Sequence, residues 1–299
     1  MDKLFVIFNP AARGEKSRRL GRFLEAKANH AIILAPTQRA GDAKLLAARA
    51  VTEGYRTVVA AGGDGTINEI INGIGTSGTA LGVLPLGTAN VFAHELGIPG
   101  RIEAAWAVIE NGRTRAIDLA RAEANGSTRQ FVQLAGVGFD AQAVRTASWG
   151  LKKRLGPLSY VWAGLRTISS RPVSVEFSGG SGPCGRGVAV LVGNGRFYGG
   201  PFALFPKARL DDGLLDVCVF EKCSYFDVLR YGQGILRGVH VELRGVQYFQ
   251  TEHLICSAPK ATPFEVDGED AGDAPVTFSV IPRALRVVVP EARGEDNHA

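Results

Sequence analysis

The sequence predicts two architectures in one chain: an N-terminal α/β domain on a doubly wound parallel sheet, then a C-terminal antiparallel β-sandwich. Three observations carry this reading. Up to about residue 112, short apolar runs alternate with stretches of helical periodicity. Two of those runs end in glycine-bearing turns, after Ala61 and after Leu86. From Thr114 the pattern changes to short apolar runs punctuated by Gly, Pro and Asp, the signature of antiparallel strands. The expected division is residues 1–113, residues 114–290 and a polar tail over residues 291–299.

Taken in order, Lys3–Asn9 (KLFVIFN) is a buried strand by length and by its β-branched and aromatic content, and Pro10–Gly14 closes it before a basic helix over Glu15–Ala28. A second strand, Ala31–Ala35, leads through Pro36 and Thr37 to Gly41-Asp42, where the acid begins a helix ending near Gly54. Val58–Ile74 (VVAAGGDGTINEIINGI) reads as a strand, a turn over Gly62-Gly63-Asp64-Gly65-Thr66, and a helix with Ile67, Ile70, Ile71 and Ile74 on one face. The strand Ala80–Leu86, the turn Gly87-Thr88-Ala89-Asn90, a helix through Leu96 and a last helix over Ile102–Asn111 complete the domain. Both glycine turns then open at the strand C-termini, the edge where α/β sheets bind ligands. In the second domain the runs Ala116–Ala122, Gln130–Leu134, Val173–Phe177, Gly187–Val192, Leu214–Phe220 and Thr277–Ile281 are the expected strands, with an interdomain cleft for a two-substrate reaction.

The turn at Gly62 has phosphate-binding chemistry. Glycines let the main chain approach a ligand, and N–H groups at a helix N-terminus stabilise anionic oxygens. No Lys-Ser or Lys-Thr follows, so it is not a P-loop, and it lacks the GxGxxG spacing of dinucleotide turns. Asp64 would repel a phosphate unless a cation lies between them, which points to a metal–nucleotide complex. A turn kept for strand–helix packing alone would read the same way. Elsewhere, the turn Asp211-Asp212-Gly213 suits carbonyls and a carboxylate around a hard cation, or a plain hairpin. Trp149–Leu165 sets Trp149, Tyr160 and Trp162 beside Lys152, Lys153 and Arg154, a membrane-interface pattern or an ordinary packed helix.

With 299 residues, 45% of them hydrophobic, the chain has ample core for two domains. The net charge of +5 favours anionic partners such as a nucleotide or an anionic membrane and is too small to call for nucleic acid. The four cysteines include no CxxC pair, which points to reduced core thiols in a cytoplasmic protein. Neither a signal-peptide pattern nor a transmembrane-length apolar run is present, so contact with a membrane is expected from its surface.

Residues 62–69, GGDGTINE, resemble the signature of the diacylglycerol kinase catalytic-domain family, whose members include bacterial lipid kinases and the sphingosine and ceramide kinases. Further elements similar to that family follow in order: the Asn9-Pro10 turn, Thr37 before GDA, GTAN at residues 87–90, LAGVGFDA at 134–141, GNGRFYGG at 193–200, ARLDDGLLDV at 208–217 and VDGE at 266–269. The resemblance implies ATP as phosphoryl donor, with Asn9, Pro10, Thr37, Gly62, Gly63, Asp64, Gly65, Thr66, Asn68, Glu69 and Thr88 at the nucleotide. It implies Mg²⁺, with Arg209 and Leu214 as carbonyl ligands and Asp212 as carboxylate ligand, and Asp64 and Asp118 ordering metal and phosphates. It implies Glu269 as the base that deprotonates a lipid hydroxyl, with Glu265 and Asp267 as competitors in sequence. Val91 stands where many diacylglycerol kinases have Asp, which loosens the tie to diacylglycerol itself. A soluble small-molecule kinase related to NAD kinases and a non-catalytic lipid-binding relative are the alternatives, and a homodimer through edge strands is open.

Overall fold

The computed structural model describes residues 3–9, 15–27, 31–146, 173–180 and 182–291. Pro10 and the segment Trp149–Leu165 lie outside the described residues. The chain divides into two units, Met1–Ile117 with the C-terminal residues from Ala284, and Asp118–Arg283. The expected linear boundary at residue 113 is thus replaced by a discontinuous one, because the end of the chain returns to complete the first sheet.

In the first unit, β1 (Leu4–Phe8), β2 (Ile32–Pro36), β3 (Thr57–Gly62) and β4 (Ala80–Pro85) pair in parallel in the order β2-β1-β3-β4. Helices α1 (Glu15–Lys27), α2 (Asp42–Thr52), α3 (Asp64–Ile74), α4 (Val91–Glu95) and α5 (Ile102–Asn111) alternate with the strands. The isoleucines of α3 face inward, with Ile67, Ile70, Ile71 and Ile74 buried at helical spacing. One sequence expectation is corrected. The turn at Gly62 is shorter than five residues: Gly63 is the N-cap, and Asp64, Gly65 and Thr66 form the first turn of α3. Helix α2 begins at Asp42 as expected, entered through Gly41 in a left-handed conformation (φ 88°).

In the second unit a six-stranded antiparallel sheet runs β14 (Val246–Thr251), β13 (Leu215–Phe220), β10 (Ala189–Gly193), β7 (Leu134–Gly138), β16 (Pro263–Val266), β17 (Glu269–Asp273). Facing it are β5 (Arg113–Ala124), β6 (Ser127–Phe131), β8 (Val175–Ser178), β9 (Cys184–Gly187), β15 (His253–Ser257) and the start of β18 (Val276–Val289). Phe131, Phe177, Leu254 and Phe278 from one sheet and Val137, Val190, Val217 and Phe264 from the other share one buried cluster, which makes the unit a sandwich. Residues Phe197–Tyr198 and Phe202–Ala203, β11 and β12, form a small hairpin.

The run Gln130–Leu134 straddles two strands, β6 and β7, and Gly187–Val192 spans the junction of β9 and β10. A helix between β7 and β8, α6 (Phe139–Thr146), and above all α7 (Tyr225–Arg237) were not expected from a reading of pure β structure. Cys218 and Cys256 are core thiols, their pKa pushed up to about 12 by burial, whereas Cys184 is exposed and Cys223 half-buried.

Candidate active site

Strand register brings the predicted nucleotide residues of the first unit to one edge. Phe8 pairs with Pro36 and with Ala61, and Gly62 pairs with Pro85, so Asn9, Thr37, Gly62-Gly63 and the loop from Leu86 to Asn90 all leave the sheet at the same end. The order β2-β1-β3-β4 places the change of chain direction between β1 and β3, where crevices form in open α/β sheets.

The two glycine loops there lie backbone to backbone. A Cβ on Gly63 would stand 3.1 Å from Gly87 Cα, and a Cβ on Gly87 would stand 2.8 Å from Gly63 Cα. A Cβ on Gly62 would meet Thr66 Cβ at 2.6 Å, so the third glycine makes room for that side chain. Asn90, with φ 48°, closes the second loop on itself: its Oδ1 accepts from Gly87 N–H (2.7 Å) and its Nδ2 donates to the Gly87 carbonyl (2.9 Å). Thr88 is left exposed at the tip.

Asp64 is fixed between these loops. Its Oδ1 accepts from Phe92 N–H at 3.3 Å. Burial raises its carboxyl pKa, and the N–H groups of Phe92, Val91 and Asn90 oppose that shift only in part. Neutral amides are what hold it, so a cation beside it would stabilise the charge that burial disfavours.

Other members of the set serve the scaffold. Both carboxylate oxygens of Glu69 accept from the start of α2, from Gly41 N–H (2.9 Å) and Ala43 N–H (3.1 Å), which gives this expected nucleotide residue a structural role. Asp42 shapes the same loop by accepting from Gln38 and Arg39 N–H groups, which hold its carboxyl below the usual carboxylate range. Thr37 is buried, its N–H donating to the Phe8 carbonyl (2.9 Å) and its hydroxyl turned to the same oxygen (3.4 Å). The Asn72 side chain donates to the Asn68 carbonyl and Oδ1. Asn9 is exposed at the end of β1.

In the second unit Asp118 is wholly buried, and its carboxylate accepts from Gly213 N–H (2.7 Å) and Arg283 N–H (2.8 Å). Its own N–H donates to the Leu210 carbonyl, and its carbonyl accepts from Asn194. Asp118 therefore holds the turn that carries Arg209, Asp212 and Leu214, the expected metal turn, through Gly213 N–H. Asp212 accepts from Leu214 N–H at 3.1 Å. Its pKa is raised by burial and by the charge of Asp118, against Arg209. Asp216, in β13, is raised by burial too, with Asp212 adding repulsion, and it accepts from the Tyr248 hydroxyl and from Gln250.

Among the described residues no three His, Cys, Asp or Glu side chains group as a metal cluster. The expected set draws instead on one carboxylate and two carbonyls. Hard oxygen donors beside acids whose ionisation is disfavoured fit a magnesium-like cation. Sequence reading missed Asp216, although an acid inside the apolar run of β13 was the signal for it.

The three acids near the end of β16 separate sharply. Asp267 and Gly268, at φ 47° and 82°, form a two-residue turn with Val266 and Glu269 paired across it. The carboxylate of Asp267 accepts from the N–H groups of Val132, Gln133 and Leu134 at 3.0–3.3 Å. Glu265 is buried and accepts from Gly268 N–H at 2.7 Å. Glu269 is exposed, and its carboxylate has no hydrogen-bond partner among the described residues. The turn is locked by two acids and presents the third.

Residues 3–122 match the family model described as diacylglycerol kinase catalytic domain, and residues 133–289 match the model described as YegS C-terminal NAD kinase beta sandwich-like domain. This chain is 33% identical to a probable lipid kinase YegS-like of Pseudomonas aeruginosa, over 97% of this chain and 95% of that one. The chain belongs to the diacylglycerol kinase and YegS-like lipid kinase family. It is also 32% identical to a diacylglycerol kinase of Bacillus subtilis, over 99% of both chains. A crystal structure of a diacylglycerol kinase from Bacillus anthracis superposes with a TM-score of 0.77 at 22% identity, covering 97% of this chain and 98% of that one, which shows the shared fold. In this member of the family Val91, the first residue of α4, is buried next to the amide that meets Asp64.

Proposed function

We propose that the protein transfers the γ-phosphoryl group of ATP to the hydroxyl of a membrane lipid of the diacylglycerol type. The observation that carries this reading is the hairpin at Val266–Glu269, where Asp267 and Glu265 are consumed in holding the turn and Glu269 alone is offered outward. An exposed carboxylate on a rigid turn suits a base that takes the proton of an alcohol as phosphorus transfers.

On the first unit, the glycine loops bring two stretches of backbone together beside Asp64 at the start of α3, and Thr88 adds an exposed hydroxyl, a setting that suits phosphate oxygens. On the second unit, Arg209 and Leu214 through carbonyls and Asp212 through its carboxylate would hold a magnesium ion, with Asp118 anchoring their turn. Bound there, Mg²⁺ would offset the charge of Asp212 and stiffen that turn. The residues of the chain then contribute placement and electrostatics, with one proton moving to the carboxylate of Glu269.

Labelled phosphoryl transfer from ATP to a panel of lipid alcohols tests the reading. The wild type should label a diacylglycerol-like acceptor, and Glu269→Gln should lower kcat by roughly 10²–10⁴-fold with nucleotide affinity retained. Unchanged kcat in that variant would remove Glu269 from the chemistry. The description of the second-unit model, which names NAD kinase, supports a small-molecule acceptor as the second reading. Labelling of NAD in preference to every lipid would decide for it.

A further inference from the structure

Among the described residues eight large hydrophobic side chains are exposed, and five of them, Tyr225, Phe226, Leu229, Leu236 and Val239, fall on α7 and the two residues after it. The helix is firmly built. Ser224 and Asp227 form a reciprocal capping box at its start, and Gly238, left-handed at φ 71°, ends it. Its inner face carries Tyr231 and Ile235 into a cluster with Leu204, Phe205, Phe220 and Leu243. Gly234 permits close approach there, since a Cβ would stand 2.7 Å from Leu243 Cδ1.

The outer face is apolar as well. Positions 225, 229 and 236 stack at helical spacing with 226 beside them, and their exposures are 60%, 63%, 70% and 74%. A helix that is apolar on both faces is ordinarily covered on both. The charges around this face are unequal. Lys222, Arg237 and Arg244 are exposed at its rim, and Arg230 lies along its flank. Of the nearby acids, Asp227 pairs with Arg230 at 3.4 Å as well as with Ser224, Glu221 accepts from Gln247, and Glu242 lies beyond the helix in a 3₁₀ turn over His240–Glu242, which leaves Lys222, Arg237 and Arg244 as the excess.

We propose that this outward face of α7 is the surface by which the protein seats on an anionic lipid bilayer. The rings and leucines enter the boundary between headgroups and acyl chains, and the rim cations meet headgroup phosphates. Charge complementarity selects this occupant over a second copy. A copy packed face to face would set the exposed Lys222, Arg237 and Arg244 of one rim against the same cations of the other, whereas anionic headgroups complement them. The inference builds on the proposed lipid substrate, yet its test needs no phosphoryl transfer, so the two readings fail separately.

The test is flotation of the full chain with vesicles of phosphatidylcholine plus phosphatidylglycerol, against phosphatidylcholine alone. Wild type is expected to float with the anionic vesicles. Phe226→Glu/Leu229→Glu is expected to lose binding by about tenfold or more, and Lys222→Glu and Arg237→Glu by about fivefold each. All should melt like wild type. Should the double variant fold poorly, Leu236→Gln gives the same comparison with a smaller change. Binding by the double variant equal to wild type would overturn the proposal. So would a wild-type dimer in light scattering that the double variant abolishes while vesicle binding persists. Binding lost instead in Lys152→Glu/Lys153→Glu/Arg154→Glu, with the α7 variant unaffected, would give the role to another segment and likewise overturn it.

Discussion

At the scale of single residues, one acid at the edge of the first sheet makes a prediction about pH. Burial raises the carboxyl pKa of Asp64, so the native state keeps its proton to higher pH than the unfolded chain does. The stability at this group is therefore greatest below the ordinary carboxylate value and falls as pH rises through the raised one. Asp64→Asn, which keeps an oxygen for Phe92 N–H, should raise Tm by roughly 1–3 °C near neutral pH, and the gain should shrink toward pH ~4. Melting curves across that range check it, and a variant that lowers Tm at neutral pH would refute it. Asp64 and Glu269 stand out in the sequence because each sits at a glycine turn whose backbone geometry is local. The anchoring of α2 by Glu69 was not legible, because that carboxylate's partners, Gly41 and Ala43, lie at the start of another helix and no local pattern reveals them. The same holds for Asp118, whose carboxylate is claimed by Gly213 and Arg283.

At the scale of elements, the apposed loops after β3 and β4 behave as one unit. Gly87→Ala forces a methyl into the Gly63 backbone and the Asn90 side chain, neither of which is a flexible end that can swing aside. Nucleotide affinity measured by calorimetry should fall by at least about tenfold, with Tm lower by several degrees. The same substitution at Gly97, in a left-handed turn with open space around it, should lower Tm slightly and leave affinity alone. Strands β1 to β4 and the helices between them were legible because apolar periodicity and glycine punctuation agree there. Helix α7 was not. Its residues, YFDVLRYGQGILR, mix aromatics with two glycines, and apolar side chains on the outer face blur the helical period. The capping box at Ser224 and Asp227 was the sign that a helix starts there.

At the scale of the whole molecule, the first unit is closed by residues from the far end of the sequence. Arg286 and Val287 pair with Ala80 and Leu81, and Leu285, Val287, Val288 and Val289 are buried. A fragment of residues 1–117 should therefore expose the edge of β4 and self-associate, and adding a peptide of residues 284–291 should restore a cooperative melt. A cooperative melt from the fragment alone would show that the strand is dispensable. The linear reading of two consecutive domains missed this because a strand carries no mark of which sheet it joins. The returning strand also sets an order of assembly. A chain leaving the ribosome holds every residue of the second unit before the last strand of the first has been made, so the downstream unit can mature while the upstream one waits for the strand that closes its sheet. Closure of the first sheet is thereby deferred until the whole of the second unit has been made.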